Sequence, residues 1–150
     1  MKSLYSNRKL AEGFPDLEKL GVEYFSHLQT PQPYTLEIMK CIEGLIDLNQ
    51  GPRTVLIVGC GPNPHSIKEL LQLGYEASGV EPIEAYVHLA RESLGGSQYM
   101  HLGSAETLPI DDNSQRIVLL KNVLEHVDSP DKSLTDPLIS PKLTIIHIRC

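Results

Sequence analysis

Residues 54–61 read Thr-Val-Leu-Ile-Val-Gly-Cys-Gly, an apolar run that stops at a turn with two glycines. A continuous run of this kind is typical of a strand buried on both faces of a parallel sheet. Pro64 suits the first turn of a helix, Asn63 can cap that helix, and Gly74 suits its end. The stretch therefore predicts a strand, a tight turn and a helix in direct succession.

Downstream, strand-like and helix-like segments continue to alternate. The sequence predicts strands over 77–80, 99–102 and 117–120, and a helix from Glu81-Pro82 to Gly95-Gly96. Upstream, helical spacing of apolar residues predicts helices over 16–28 and 35–48, separated by a linker with two prolines. Alternation of strands and helices predicts an α/β fold with a parallel sheet.

The glycine turn and Glu81 form the first candidate ligand site. Gly59 and Gly61 allow a ligand to approach the backbone closely, and the following helix offers free N–H groups. Glu81 lies about 20 residues after Gly59, where dinucleotide-binding folds place an acidic residue on the ribose hydroxyls. A tight turn without a ligand and a carboxylate facing a helix dipole explain the same residues, so both interpretations stay open here.

Two further blocks distinguish between cofactors. Residues 103–114 read Gly-Ser-Ala-Glu-Thr-Leu-Pro-Ile-Asp-Asp-Asn-Ser, and residues 122–127 read Asn-Val-Leu-Glu-His-Val. Together with the glycine turn and Glu81, these blocks resemble the class I S-adenosylmethionine-dependent methyltransferases. The similarity is strongest to the small-molecule group related to ubiquinone and menaquinone biosynthesis enzymes. It covers roughly residues 53–133, and all four blocks occur in the family's order.

The resemblance implies a Rossmann-like three-layer αβα sandwich with a mainly parallel sheet. It also implies S-adenosylmethionine as the cofactor and a small molecule as the methyl acceptor. By the same resemblance, the methionine part of the cofactor lies near the glycine turn and strand four, the ribose on the acidic residue, and the adenine beside the loop after strand three. The residues implied are Gly59, Cys60, Gly61 and Asn122 for methionine, Glu81 for the ribose, and Ser104, Ala105 and Glu106 for the adenine.

This chain departs from the family pattern at a few positions. Ile57 stands where the family usually has an acidic residue that helps to orient the glycine loop. Asn63 replaces a third glycine, and Ser104 replaces an aspartate. A serine hydroxyl still forms hydrogen bonds, so we expect cofactor binding to be retained but weakened.

The family pattern fades after Leu134, where Pro137 and Pro141 interrupt any regular helix. Residues 143–148 suit a fifth strand. We therefore expect an N-terminal helical arm over 1–52 and a cofactor-binding domain over 53–150 that lacks its last strands. An open strand edge would then favour a homo-oligomer or a partner protein.

Composition limits the function classes. The 150 residues carry a net charge of -6, and the basic residues form no stripe, so nucleic acid is not an expected partner. No apolar run approaches the roughly 20 residues of a membrane span, and no signal peptide is recognised. The three cysteines have neither disulfide nor zinc spacing, so we expect no metal site and a cytoplasmic protein.

Three functions remain open from the sequence. The first is an active small-molecule methyltransferase, and the second is a cofactor-binding but inactive fragment or binding module. The third is an NAD(P)-dependent oxidoreductase, which fits Gly59, Gly61 and Glu81 but leaves the 103–114 and 122–127 blocks unexplained. No catalytic residue is assigned. His126 suits packing or hydrogen bonding better than the role of a base, and methyl transfer needs a base only if the acceptor must lose a proton.

Overall fold

The computed structural model describes residues 40, 43–44, 47, 49–62, 64–111, 114–121, 123–131 and 144–148. The helix predicted over 16–28 lies outside these residues, as does most of the one over 35–48. None of the helices within the described ranges has both the length and the apolar character that a membrane span requires.

The described elements follow the predicted order. They are β1 (Thr54–Val58), α1 (His65–Gln72), β2 (Glu76–Glu81), α2 (Glu84–Leu94), β3 (Met100–Leu102), β4 (Ile117–Lys121) and β5 (Thr144–Ile148), with short 3-10 helices at Ser97–Tyr99 and Leu124–His126. All five predicted strands are confirmed. Two helix starts differ from the prediction. Pro64 is the N-cap of α1 rather than its first helical residue, and α2 begins three residues after Glu81 because Glu81 still pairs with Leu102 of β3.

The strands form a parallel sheet in the order β3-β2-β1-β4-β5. Val58, the last residue of β1, pairs with Val80 on one side and with Leu120 on the other. The carboxyl ends of β1, β2 and β4 therefore meet at one edge, and the strand order reverses between β1 and β4. Ligands of open α/β sheets bind at such an edge. The predicted α/β, Rossmann-like fold is confirmed.

Each face of the sheet has its own apolar cluster. The first cluster joins alternate strand residues to both helices: Val55, Ile57, Ile67, Leu70, Tyr75, Ala77, Val87, Ala90, Met100, Ile117 and Leu119. The second cluster joins the other strand residues to the loops after β3 and β4: Leu56, Val58, Val80, Ala105, Leu108, Val118 and Leu120, with Ile110, Val123, Leu124 and Val127 at its margin. The described residues thus place helices on one face and loops on the other.

Gly79 explains why β2 contains a glycine. A Cβ atom at this position would lie 2.7 Å from Cys60 Sγ, 2.8 Å from Ile67 Cδ1 and 2.9 Å from Met100 Sδ. All three distances are shorter than van der Waals contact. The glycine allows β1, α1 and β3 to pack closely around β2.

The segment before β1 contacts the opposite end of the sheet from the glycine turn. Arg116 donates a backbone N–H to Thr54 Oγ1 at 2.9 Å and a guanidinium N–H to the carbonyl oxygen of Asp47 at 2.6 Å. The Tyr75 hydroxyl donates to Glu43 Oε1 at 2.7 Å. Burial, which is the larger effect, and this hydrogen bond together raise the pKa of Tyr75 to about 12. The described residues of this segment therefore contact the amino end of the sheet.

Candidate functional site

The turn after β1 depends on two glycines with left-handed backbone conformation. Gly59 has φ of 72° and Gly61 has φ of 65°, values that side-chain-bearing residues rarely adopt. The Gly59 N–H donates to the carbonyl oxygen of Val80 at 2.8 Å, which ties the turn to the end of β2. A Cβ atom on Gly61 would meet no atom of the described residues within 4 Å. The backbone of the turn at Gly61 is therefore open to a ligand.

Glu81 ends β2 directly beside this turn. Its Oε2 atom accepts a hydrogen bond from the Gly61 N–H at 2.9 Å, and its Oε1 atom accepts one from the Ile83 N–H at 3.2 Å. The residue is only 5% exposed, and it is the sole charged or polar residue buried among those described. A carboxylate offers about four acceptor positions, so two remain for hydroxyl donors after these bonds are made.

Burial also sets the charge state of Glu81. Desolvation raises its pKa from 4.5 to about 6, and the backbone hydrogen bonds from Gly61 and Ile83 oppose this shift. The burial effect is larger because the two N–H groups replace only part of the water that an exposed carboxylate would bind. Above pH 6 the site therefore presents a buried negative charge beside the glycine turn.

The Cys60 side chain packs away from the open side of the turn. Its Sγ atom lies 3.5 Å from Met100 Sδ and 3.8 Å from the carbonyl oxygen of Val80, at the edge of the first apolar cluster. Desolvation and the nearby Glu81 carboxylate raise the pKa of the thiol far above its usual value. A protonated, packed thiol is a poor nucleophile. Any contribution of Cys60 to ligand binding would thus come from its backbone.

The loop after β3 begins with a tight turn held against Glu81. The Gly103 N–H donates to the backbone carbonyl of Glu81 at 3.1 Å, and the Thr107 N–H donates to that of Ser104 at 3.2 Å. Within the turn, Ala105 is buried in the second apolar cluster, whereas Ser104 and Glu106 are half-buried. The turn that contains Ser104, Ala105 and Glu106 thus comes shortly after the end of β3 and lies next to Glu81, at the end of β2.

The segment after β4 forms a further wall of the candidate site. A Cβ atom on Gly59 would lie 2.5 Å from Val123 Cγ2, so the glycine turn and this segment are in direct contact. The Ser129 N–H donates to Glu106 Oε1 at 2.8 Å, a contact between residues 23 apart that no local sequence pattern indicates. Asn122 lies outside the described residues, so its predicted place near the methionine moiety stays a prediction. The other seven predicted residues lie on adjoining strand ends and loops.

Two histidines stand out in the structure. His101 lines an open cleft of about 500 Å³ together with residues 108–111 and 114–115, and none of the predicted cofactor residues lines this cleft. Burial, which is the larger effect, and the positive charge of the nearby Arg91 both lower the pKa of His101. His65 begins α1, and its buried Nε2 atom has no hydrogen-bond partner among the described residues. Sequence reasoning had assigned neither residue a role.

The described residues include no group of three or more His, Cys, Asp or Glu side chains arranged to hold a metal ion. The carboxyl edge instead combines one buried carboxylate with a turn whose two glycine N–H groups already donate to Val80 and to Glu81. The acceptor positions left on this carboxylate suit a ligand with hydroxyl donors, such as a ribose.

Comparison with known proteins identifies the family. The methyltransferase domain family matches residues 56–136, more than half of the chain. An uncharacterized methyltransferase of Mycobacterium sp. (strain JLS) is 38% identical over 80 residues, which cover 53% of this chain and 31% of that protein. The match thus spans less than a third of that curated relative.

Solved structures share the fold at low identity. A SAM-dependent methyltransferase from Thermotoga maritima, described as a possible histamine N-methyltransferase, has a TM-score of 0.57 at 24% identity and covers 89% of this chain and 60% of its own. The plantazolicin methyltransferase BpumL, solved with a desmethylPZN analog and S-adenosylhomocysteine (SAH), has a TM-score of 0.65 at 16% identity. The aligned part covers 91% of this chain and 55% of BpumL. With its matched residues, its sheet order and its glycine turn, the chain belongs to the methyltransferase domain family.

Proposed function

We propose that this chain binds S-adenosylmethionine at the carboxyl edge of its sheet and takes part in methyl transfer to a small molecule. The observation that carries the proposal is the hydrogen bond from the Gly61 N–H to Glu81 Oε2 at 2.9 Å beside an open backbone. This hydrogen bond joins the glycine turn, which the resemblance assigns to the methionine part of the cofactor, to Glu81, which it assigns to the ribose.

The residues present fit the proposed cofactor chemically. Ribose hydroxyls are donors, and the two acceptor positions left on Glu81 match them. S-adenosylmethionine also carries a positive sulfonium, which a buried carboxylate attracts. An acidic residue at the position of Glu81 suits both cofactors. The family membership, with the 103–114 and 122–127 blocks that an oxidoreductase leaves unexplained, favours a methyltransferase over the oxidoreductase alternative.

We assign roles on this basis. Gly59, Gly61 and the backbone of Cys60 would hold the methionine moiety with Asn122, and Glu81 would hold the ribose. Ser104, Ala105 and Glu106 would form the adenine side. When bound, S-adenosylmethionine supplies an activated methyl group, so the task of the protein is to orient the cofactor and the acceptor.

We propose a small-molecule acceptor because the net charge of -6 disfavours the phosphate backbone of a nucleic acid. A reducing compartment such as the cytoplasm suits the cysteines, whose spacing favours neither disulfides nor zinc binding. The outer edge of β5 pairs with no other strand in the described part of the chain, and it is the surface we propose for self-association or a partner.

Calorimetric titration of the full chain with SAH, and separately with NAD, tests the binding proposal. We expect SAH to bind and NAD not to bind. Glu81→Ala should weaken SAH binding by about 1–3 kcal/mol, the cost of losing hydrogen bonds to a charged acceptor. Glu92→Ala, which alters an exposed glutamate on α2, is the matched control and should bind like the wild type. Equal SAH affinity in the Glu81→Ala and Glu92→Ala variants would refute the assignment.

Turnover distinguishes an enzyme from a binding module. The assay measures transfer of an isotopically labelled methyl group from S-adenosylmethionine to a panel of small-molecule acceptors. Transfer at limiting S-adenosylmethionine that Glu81→Ala lowers and Glu92→Ala preserves supports the enzyme. SAH binding without transfer to any acceptor supports the cofactor-binding module.

A further inference from the structure

The Glu106 carboxylate joins two loops that border the proposed cofactor site. Its Oε1 atom accepts a hydrogen bond from the backbone N–H of Ser129 at 2.8 Å. Glu106 lies in the turn between Ser104 and Thr107, and Ser129 lies in the segment after β4. A hydrogen bond from a backbone N–H to a carboxylate is about twice as strong as one between neutral groups.

Apolar packing alone would not fix the spacing of these loops. Ala105 and Leu108 from the first loop and Val123, Leu124 and Val127 from the second belong to the same apolar cluster. The hydrophobic effect that drives such packing is non-directional. The Glu106–Ser129 bond is directional, so it sets the separation of the two backbones.

The segment held by Glu106 also reaches the glycine turn. Val123, six residues before Ser129, is so close to Gly59 that a Cβ atom there would lie 2.5 Å from Val123 Cγ2. Residues 123–129 therefore contact the proposed methionine side through Val123 and the proposed adenine side through Ser129. A shift at Ser129 would alter one wall shared by both sides.

We infer that Glu106 is a positioning residue that acts through Ser129. Its carboxylate holds the 104–107 turn and the 123–129 segment at the separation that cofactor binding requires. This role rests on the proposed function, because the site being positioned is the S-adenosylmethionine site. It differs from a direct adenine contact, since the Oε1 atom is engaged by the Ser129 N–H.

Two measurements on the full chain test this role. Hydrogen exchange of the Ser129 amide, followed by NMR without ligand, reports on the bond itself. Calorimetric titration with SAH reports on the site. Glu106→Ala should accelerate Ser129 exchange and weaken SAH binding by about tenfold, the effect of losing one hydrogen bond to a charged acceptor.

Conservative variants sharpen the test. Glu106→Gln keeps an acceptor oxygen at the same reach but forms the weaker neutral bond, so we expect both readouts to lie between those of Glu106→Ala and the wild type. Glu106→Asp is one methylene shorter and should behave like Glu106→Ala. Glu106→Asp takes the place of Glu106→Ala in both measurements if the alanine variant does not fold. Glu92→Ala should change neither readout.

Several outcomes would overturn the inference. Faster Ser129 exchange with unchanged SAH affinity would show that the bond does not serve the site. Weaker SAH binding with unchanged Ser129 exchange would indicate that Glu106 contacts the ligand directly. Failure of the wild type to bind SAH, with Ser129 exchange still sensitive to Glu106, would refute the proposed function and leave only a structural bond.

Discussion

Glu81 at the end of β2 accepts a hydrogen bond from the N–H of Gly61, in the turn after β1, at 2.9 Å. The two residues are 20 positions apart, and the parallel pairing of β1 with β2 brings them together. The carboxylate thus supports the glycine turn before any ligand binds. The remaining acceptor positions of Glu81 can therefore bind a ligand from a preorganised arrangement.

Cofactor affinity should depend on pH through Glu81. Its pKa of about 6 means that the carboxylate gains a proton as the pH falls below this value. A protonated carboxyl accepts hydrogen bonds from ribose hydroxyls less well and carries no charge to attract the sulfonium. We expect affinity for S-adenosylmethionine to fall by about tenfold for one pH unit below the pKa. Calorimetry between pH 5 and pH 8 measures this, and Glu81→Gln should bind weakly at every pH.

Stability without ligand should show the opposite trend. The folded pKa of Glu81 is about 6 and the ordinary value is 4.5, so between these values the folded state binds more protons than the unfolded state. The free energy of unfolding should therefore decrease by roughly 2 kcal/mol as pH rises through this window. Urea titrations at pH 4.5 and pH 7 measure the difference between wild type and Glu81→Gln. An equal pH dependence in both proteins would contradict the assignment to Glu81.

Gly61→Ala should separate binding from folding. The added methyl group meets no atom within 4 Å in the described part of the chain, and the φ of 65° costs only about 1–2 kcal/mol for alanine. The methyl group would nevertheless enter the open space that we assign to the cofactor. We expect a folded protein with SAH affinity reduced at least about tenfold, measured by calorimetry and thermal melting. Unchanged SAH affinity would show that the cofactor does not approach Gly61.

Gly79→Ala should destabilise the fold. The new Cβ atom would lie within 3 Å of Cys60 Sγ, Ile67 Cδ1 and Met100 Sδ, and overpacking of this kind typically costs about 1–3 kcal/mol. Gly44→Ala is the control, since a Cβ atom at this helical position meets nothing within 4 Å among the residues that the structure describes. We expect Gly44→Ala to keep or raise the melting temperature. Equal melting temperatures for the two variants would argue against close packing at Gly79.

An acidic residue at position 57, which is usual in the family, should destabilise the fold of this chain. Ile57 is 5% exposed and belongs to the apolar cluster beneath the helices. An aspartate there would lose water without gaining a described charge partner, so we expect Ile57→Asp to lower stability by about 3 kcal/mol or more. Ile57→Val should cost only about 1 kcal/mol. Retained stability with tighter SAH binding would instead show that position 57 tunes the site.

The sequence was most informative where burial leaves a simple pattern. The run from Val55 to Val58 predicts β1 because both faces of a central parallel strand are buried, and these residues are at most 5% exposed. The spacing of Glu81 likewise predicts its place beside the glycine turn. The direction of the Cys60 side chain and the Glu106–Ser129 bond were not predictable, because both depend on packing between segments far apart in the chain.

The position of β1 in the sheet has a consequence for folding order. Its partner on one side, β2, begins 22 residues after β1 begins, whereas its partner on the other side, β4, begins 63 residues later. Closing the shorter loop costs less chain entropy, and an emerging chain exposes β2 first. The contact between Glu81 and the glycine turn should thus form early during synthesis. The other edge of β1 remains unpaired until β4 is synthesised. A ribosome-bound intermediate ending before residue 117 would expose that edge to chaperones or to β-strands of other chains.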